Sequence, residues 1–408
     1  MRRREESEVS PWRATLAGLC ASLVGIGLAR FAYTPLLPAI IEAHWFPASA
    51  AAYLGAANLA GYLAGALLAR PMAARAKVDW VLRAMMLLAS VAFFACAVPL
   101  SFLWFFVWRL LSGIAGGALM VLAAPTVLAH IPASRRGLAS GAIFAGVGLG
   151  IAASGTLVPL LLRQGLPQAW LGLGGLALLL TLIAWTSWPA HHTMPAPPRP
   201  QAPAPHPTRQ LRGLYVEYGL NAIGLVPHMV FLVDFVARDL GRGLDIGAQY
   251  WVLFGLGAIA GPVVNGHIAD RIGFTAALRL AFVIEMAAVS LPLFSPAPIG
   301  LVVSSLIVGA FTPGIVPLVL GRVHELLPHD APAQKAAWSA ATTCFALFQA
   351  GAAYGMSFLF ARTSGNDRLL FALGTGAIAL ALLVDLAARR QGMSMTSSPP
   401  PQPRVSGR

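Results

Sequence analysis

The stretch GHIADRIGFTAALR, residues 266–279, ends one apolar run, turns within a few polar residues and starts another. Gly266, Asp270, Arg271, Gly273 and Arg279 are laid out as at a tight junction between two membrane helices on the positively charged side of a bilayer. About 201 positions upstream, GALLARPMAARAK, residues 65–77, occupies the matching place. Two similar hairpins in two similar halves imply a duplicated helical membrane protein.

The composition agrees. The chain has 408 residues, of which 57% are hydrophobic and 11% charged, with mean hydropathy +0.72. A soluble domain carries roughly a quarter charged residues. Apolar windows predict spans near 14–38, 49–69, 80–98, 102–124, 138–162, 169–188, 214–235, 249–269, 275–294, 298–321, 336–360 and 368–387. The fold class is therefore all-α and polytopic, with twelve transmembrane helices in two six-helix bundles. Residues 1–188 form the first bundle, 189–212 a Pro-rich linker, 213–390 the second bundle and 391–408 a disordered tail. Pro35 and Pro38 in helix 1, and Pro313 and Pro317 in helix 10, fall inside or near the ends and mark these two helices as long or bent. The run after Arg2, Arg3 and Arg4 has no convincing Ala-x-Ala cleavage site and reads as an uncleaved first span.

Lys and Arg give the orientation. Twenty-one lie on the side of the termini and even-numbered connections, five on the other side, and Arg30 and Arg109 lie inside helices. Both termini and the even-numbered connections are thus expected in the cytoplasm. The same distribution accounts for the net charge of +13 without a nucleic-acid partner and leaves membrane lipids as a natural contact. Cys20, Cys96 and Cys344 sit in separate apolar runs, with neither disulfide nor metal-ligand spacing, and His191 and His192 read as linker residues. No nucleophile triad, nucleotide-binding loop or metal cluster is legible, so neither an enzyme nor a bound metal or cofactor is expected.

Gly266-x-x-x-Asp270-Arg271-x-Gly273 with Arg279, the twelve spans and the central linker together resemble the major facilitator superfamily over nearly the whole chain. Gly25-Ile26-Gly27-x-x-Arg30-Phe31-x-Tyr33-x-Pro35-Leu36-Leu37-Pro38 resembles its YbfB/YjiJ-type branch more particularly, and Arg109-x-x-x-Gly113 its helix 4 motif. The resemblance implies a secondary transporter of the bacterial inner (plasma) membrane in which this turn latches the cytoplasmic side, with Gly266, Asp270, Arg271, Gly273, Arg279 and, from the first copy, Arg70 as gate residues. That first copy departs from the pattern, with Ala69 in place of the acid and Met72 in place of the second glycine. The pairs Gly61/Gly65, Gly113/Gly117, Gly146/Gly150, Gly257/Gly261 and Gly351/Gly355 each put small residues on one helix face, for static packing or for bundles that rock.

Charge inside hydrocarbon needs a partner, water or a job. At 1.5 Å per residue Arg30 lies about 24 Å up helix 1, Arg109 about 12 Å down helix 4 and His228 about 22 Å up helix 7, a shared level. Two guanidiniums at one depth suit a carboxylate or another oxyanion. The expected substrate-binding set is Arg30, Tyr33, Arg109, Asn221, His228 and Gln349, and the candidate proton carriers are His228, Glu217 and Glu285. Each has a bland reading beside it: carbonyl bonding for Arg109, packing for His228, an interhelical bond for Gln349, pairing to a neighbouring helix for Glu285. The leading expectation is a monomeric secondary transporter that moves a small organic, anionic solute by alternating access, with protons as the candidate coupling ion. Its rivals are a multidrug or metabolite efflux transporter with an apolar pocket, and a non-transporting receptor or scaffold.

Overall fold

The computed structural model describes residues 10–132, 135–189, 209–328, 330–363 and 365–396. They form twelve helices long and apolar enough to cross a membrane, and no strand occurs among the described residues. In the first half these are α1 (Pro11–Glu42), α2 (Ala48–Arg75), α3 (Val78–Cys96), α4 (Phe102–Leu128), α5 (Leu138–Leu162) and α6 (Leu166–Trp185). The second half holds α7 (Arg209–Asp239), α8 (Leu244–Ile272), α9 (Phe274–Phe294), α10 (Pro298–Leu326), α11 (Pro332–Arg362) and α12 (Asp367–Ala387). Even α3, the shortest at 19 residues, spans roughly 28 Å, near the hydrocarbon thickness.

Two predicted boundaries move. Residues 209–212, assigned to the linker, open α7, because the next proline after Pro207 is Pro227 and Arg, Gln and Leu propagate helix well. The backbone after α12 stays helical to Thr396, so 391–396 are helix rather than tail, and the first proline comes at Pro399. Residues 190–208 and 397–408 lie outside the described part.

Each half is built on one close helix pair. A β-carbon at Gly61 would meet the Leu110 carbonyl, at Gly65 that of Ile114, and at Gly113 that of Asn58, so α2 and α4 touch backbone to backbone. In α8 and α10, Gly257 meets Leu306, Gly261 meets Ala310 and Gly309 meets Phe254 in the same way. The partners Gly61 and Gly257, Gly65 and Gly261, and Gly113 and Gly309 are each 196 positions apart. This register corrects the offset of 201 read from the turns, which matched Gly65 to Gly266. Gly65 is a packing glycine, whereas a β-carbon at Gly266 meets nothing within 4 Å. Gly273 then corresponds to Lys77, and each is the residue just before α9 or α3. Arg279 corresponds to Arg83, and both reach the last helix of their half: Arg279 pairs with Asp385 of α12, and Arg83 Nε donates to the Trp185 carbonyl of α6 at 2.9 Å.

The 266–279 turn is a single residue. Gly273 ends α8 and precedes α9 at φ 81°, a left-handed conformation that disfavours any side chain. Glu325 of α10 fixes it, accepting from the Phe274 N–H at 3.0 Å and the Thr275 hydroxyl at 2.9 Å while Arg322 pairs with it at 3.0 Å. Asp270, Arg271 and Arg70 are exposed on the same side.

The first helix of each half is irregular. In α1 the stretch Leu23–Leu28 is π-helical and residues 29–32 form a turn before helix resumes at Tyr33. Pro35, which has no N–H to donate, lies just beyond this break. In α7, Pro227–Phe231 and Phe235–Asp239 are π-helical. As expected, α10 is long, 29 residues, and it stays helical through Pro313 and Pro317, while the irregular counterpart of α1 is α7, which carries Pro227.

The halves meet along α5 and α8 and along α2 and α11, and the C-terminal part of α1, Tyr33–Glu42, packs on α7. A β-carbon at Gly155 would lie 3.0 Å from the Ala248 carbonyl, at Gly255 2.5 Å from the Ala152 nitrogen, and at Gly148 2.7 Å from the Ile259 nitrogen. The paired glycines named from sequence act elsewhere. Gly146 and Gly150 pack on α1 within the first half, and Gly351 and Gly355 meet nothing within 4 Å.

Gly61→Ala and Gly257→Ala therefore each force two backbones apart and are expected to cost about 1–3 kcal/mol, read as a lower thermal unfolding midpoint in detergent. Gly355→Ala, with open space around it, is expected to leave that midpoint unchanged or raise it slightly. Equal midpoints for all three would remove the symmetric close pairs as the basis of each bundle.

Candidate functional site

The break in α1 frees backbone groups in the middle of the membrane, where each must find a partner. The Ala29 carbonyl accepts from three side chains: Arg109 Nη1 at 2.9 Å, Asn58 Nδ2 at 3.3 Å and Ser112 Oγ at 3.3 Å. Asn58 also donates to the Arg109 carbonyl at 3.2 Å, so α1, α2 and α4 are tied at one point. The Arg109 guanidinium lies 4.4 Å from the centre of the Tyr33 ring. The Tyr33 hydroxyl in turn donates to the Ala51 carbonyl at 2.6 Å.

Arg30, in the turn itself, crosses to the other half. Its guanidinium sits 5.0 Å from both the Phe31 and Tyr62 rings, donates to Gln349 Oε1 on α11 at 2.7 Å and reaches Met229 Sδ on α7 at 3.9 Å. Gln349 Nε2 meets the same sulfur at 3.5 Å, and Thr34 donates to the Met229 carbonyl at 2.5 Å. Arg30, Tyr33, Thr34, Asn58, Arg109 and Met229 line a cavity of about 10 Å³, space for roughly one water. Arg109 is 3% exposed, and Arg30 is half-buried beside half-buried Tyr62. Among the described residues no carboxylate pairs with either arginine, and the Nε of each lacks a hydrogen-bond partner. Two positive charges thus share a small chamber with ring faces, carbonyls and amides, and with no counter-charge.

Of the predicted binding set, Arg30, Tyr33, Arg109 and Gln349 converge here. Asn221 and His228 do not. Asn221 donates to Glu285 Oε2 of α9 at 2.6 Å. His228 Nε2 lies 2.7 Å from Ser304 Oγ of α10, and its ring stands edge-on to Phe371 of α12 at 5.0 Å. Both are fully buried inside the second bundle and do not line the cavity. Asn221 lies in the regular stretch Arg209–Val226 and His228 just beyond it; the two share a face as their spacing predicts, and that face turns to α9, α10 and α12 of their own bundle. The α7 residues that do line the cavity are Met229 and Val230, passed over because a polar stripe was sought. Glu217 is buried near the turn side, within reach of Asp385, Arg322 and Arg279, and Glu285 pairs with Asn221 as its bland reading held. Asn58, Tyr62, Thr34 and Ser112 went unnamed, although a lone Asn in an apolar helix facing Arg109 is itself a signal.

The sequence model of the family described as "Uncharacterised MFS-type transporter YbfB" matches residues 22–386. The chain belongs to this family. It is a multi-pass membrane transporter of the MFS type rather than an enzyme. Among curated proteins none matches the sequence. Solved MFS structures share the fold. A mutant of the nucleoside transporter NupG is 14% identical with TM-score 0.70, covering 92% of this chain and 99% of its own. A bacterial homologue of the human lysosomal transporter Spinster, inward-facing and unoccupied, is 15% identical with TM-score 0.70, covering 95% and 98%. A D-xylose–proton symporter is 16% identical with TM-score 0.67, covering 92% and 97%.

The two kinds of contact separate by stability. Asn58→Ala removes hydrogen bonds that join three helices and is expected to cost about 1–2 kcal/mol, read as a lower unfolding midpoint. Arg30→Ala removes a charge that no carboxylate neutralises and is expected to leave the midpoint unchanged or higher. A fall for Arg30→Ala as large as that for Asn58→Ala would make Arg30 a structural residue.

Proposed function

We propose that this MFS-type transporter moves a small organic anion across the bacterial inner membrane by alternating access, as a monomer with both termini in the cytoplasm and with protons as the coupling ion. The observation that carries the reading is the pair Arg30 and Arg109 at one cavity without a carboxylate partner. An unneutralised guanidinium in hydrocarbon is costly, and a solute carboxylate or other oxyanion supplies the missing charge through the paired hydrogen bonds that Arg geometry favours. Arg30 would take the solute directly. Arg109, already bonded to Ala29, would hold Tyr33 and the α1 turn in place and contribute charge.

The direction of access follows from packing. On the outer side Thr34 bonds to Met229, and the outer part of α1 rests on α7. Arg30 meets Tyr62, four residues beyond Asn58 along α2 and so about 6 Å nearer the terminal side. The solute would enter or leave from that side in this conformation. The exposure of Asp270 and Arg271 agrees with a latch that is released here. The excess of Lys and Arg on that side supports a cytoplasmic assignment. Among the fold relatives, one is named an inward-facing structure and another a proton symporter, so the fold accommodates both features.

Reconstituted protein is expected to give saturable counterflow of at least one carboxylate or other oxyanion in a solute screen, enhanced by a proton gradient. Arg30→Ala should lower that flux about 10-fold or more, since a charge-assisted hydrogen bond is worth at least 1.5 kcal/mol, and Arg30→Lys should restore part of it. Flux confined to neutral solutes, or unchanged in Arg30→Ala, would overturn the anion reading.

A further inference from the structure

A second buried charge cluster lies at the outer ends of α7 and α12, away from the cavity. Asp234 is the last residue of the short α-helical turn Leu232–Asp234 between the two π-helical stretches of α7, and it is 0% exposed. Asp367 opens α12 and is 1% exposed. Capping does not occupy Asp367, since Asn366 Oδ1 accepts the Leu369 N–H at 3.2 Å. Arg238 Nε stands 2.9 Å from Asp234 Oδ1, its Nη2 lies 3.7 Å from where a β-carbon at Gly365 would sit, two residues before Asp367, and Phe235, next to Asp234, meets Phe371 of α12 with ring centroids 5.1 Å apart. Arg368 lies 3.7 Å from Asp239 on the outer rim. Asp234 Oδ2 and Asp367 Oδ1 have no hydrogen-bond partner among the described residues.

Counting charges decides what this arrangement needs. Three carboxyl groups (Asp234, Asp239 and Asp367) face two guanidiniums (Arg238 and Arg368). Asp239 and Arg368 offset each other at the partly exposed rim, which leaves one guanidinium between two buried carboxyl groups. The other charged groups nearby do not supply the deficit. Glu42 at the end of α1 adds negative charge, and Asp245 in the first turn of α8 is exposed. Arg242 donates to the Pro296 carbonyl at 2.6 Å, and Arg362 of α11 is exposed over the Phe358 ring. Tyr33 of α1 is a neutral phenol that already donates to Ala51.

We propose that Asp234 and Asp367 form a proton-binding pair that holds one proton between two carboxyl groups while the outer side is closed. The proton comes from outer water and converts one carboxylate to a carboxylic acid, with no other bond made or broken. Its path runs past Arg238 and Asp239, whose side chains are 26% and 34% exposed. Neutralising one of the two leaves a single buried carboxylate to face the Arg238 guanidinium, which removes the like-charge cost. Asp234 lies in the part of α7 that packs on the outer half of α1, so loss of the proton leaves two buried like charges at the outer closure and favours its opening. The pair couples protons to the outer gate at a distance from the solute.

The test uses the full-length protein in lipid nanodiscs and needs no solute, so it stands or falls apart from the anion reading. Infrared difference spectra across a pH titration are expected to show one protonated-carboxyl C=O signal lost in Asp367→Asn, the same signal lost in Asp234→Asn, and no further loss in the double variant. Arg238→Gln should add a second protonated-carboxyl signal at the same pH. Spectra of either asparagine variant identical to wild type would overturn the proposal, as would two independent signals lost additively in the double variant. Where Asp367→Asn does not fold, Asp234→Asn and Arg238→Gln decide alone.

Discussion

A helix that breaks inside hydrocarbon has to find partners for the backbone groups it releases, and the Ala29 carbonyl is where this fold meets that demand. Arg109, Asn58 and Ser112 converge on it from two other helices. Without them the turn at 29–32 would leave a carbonyl unsatisfied in a medium without water. With them, α1 changes direction and presents Arg30 to the opposite half. The π-helical stretch, the proline, the buried Asn and the buried Arg are parts of one solution. Arg109 therefore has a structural duty whether or not it meets solute.

The close glycine pairs explain why such a turn can be held in register. Backbone contact between α2 and α4 leaves no room for adjustable side chains, so Asn58 and Arg109, one on each of these helices, are placed by main-chain geometry rather than by flexible packing. The second half repeats the device at 196 residues' distance with α8 and α10, but the polar content does not repeat. Ser305 and Phe254 stand where Arg109 and Asn58 stand in the first half. Duplication supplied the frame, and the halves then diverged in what the frame carries. One half holds positive charge at the central cavity. The other encloses Asn221, Glu285, His228 and Ser304 within its own bundle.

The fold was legible because its signals are local and repeated: apolar runs of span length, a turn with Gly273 at a position only glycine suits, and Lys and Arg on one side. The site was legible in its charges, since Arg30 and Arg109 are conspicuous in apolar runs and need no partner to be noticed. Asn221 and His228 share a face as their spacing predicts, but spacing does not say which neighbour that face meets, and here it meets α9, α10 and α12. The repeat offset was misread because glycine was matched to glycine, although Gly65 serves contact and Gly266 does not. Asp234 and Asp367 escaped notice for another reason. They lie near predicted helix ends, where a charge is expected to be solvated, and folding buries them there.

The contact between Arg30 and Gln349 shows how binding and movement would be linked on the proposed reading. The Arg30 guanidinium donates to the Gln349 amide oxygen, a neutral acceptor on the opposite half. A carboxylate is the stronger partner for Arg by roughly a factor of two, so its arrival would replace the contact that Gln349 makes across the halves. Met229, bonded through its carbonyl to Thr34 and touched by both Arg30 and Gln349, belongs to the same junction. A solute that binds Arg30 must therefore disturb the residues that hold α1, α7 and α11 together. A ligand shifts a conformational equilibrium only as far as its affinities for the two states differ. The exchange of an amide for a carboxylate at one guanidinium supplies such a difference at the seam between the bundles.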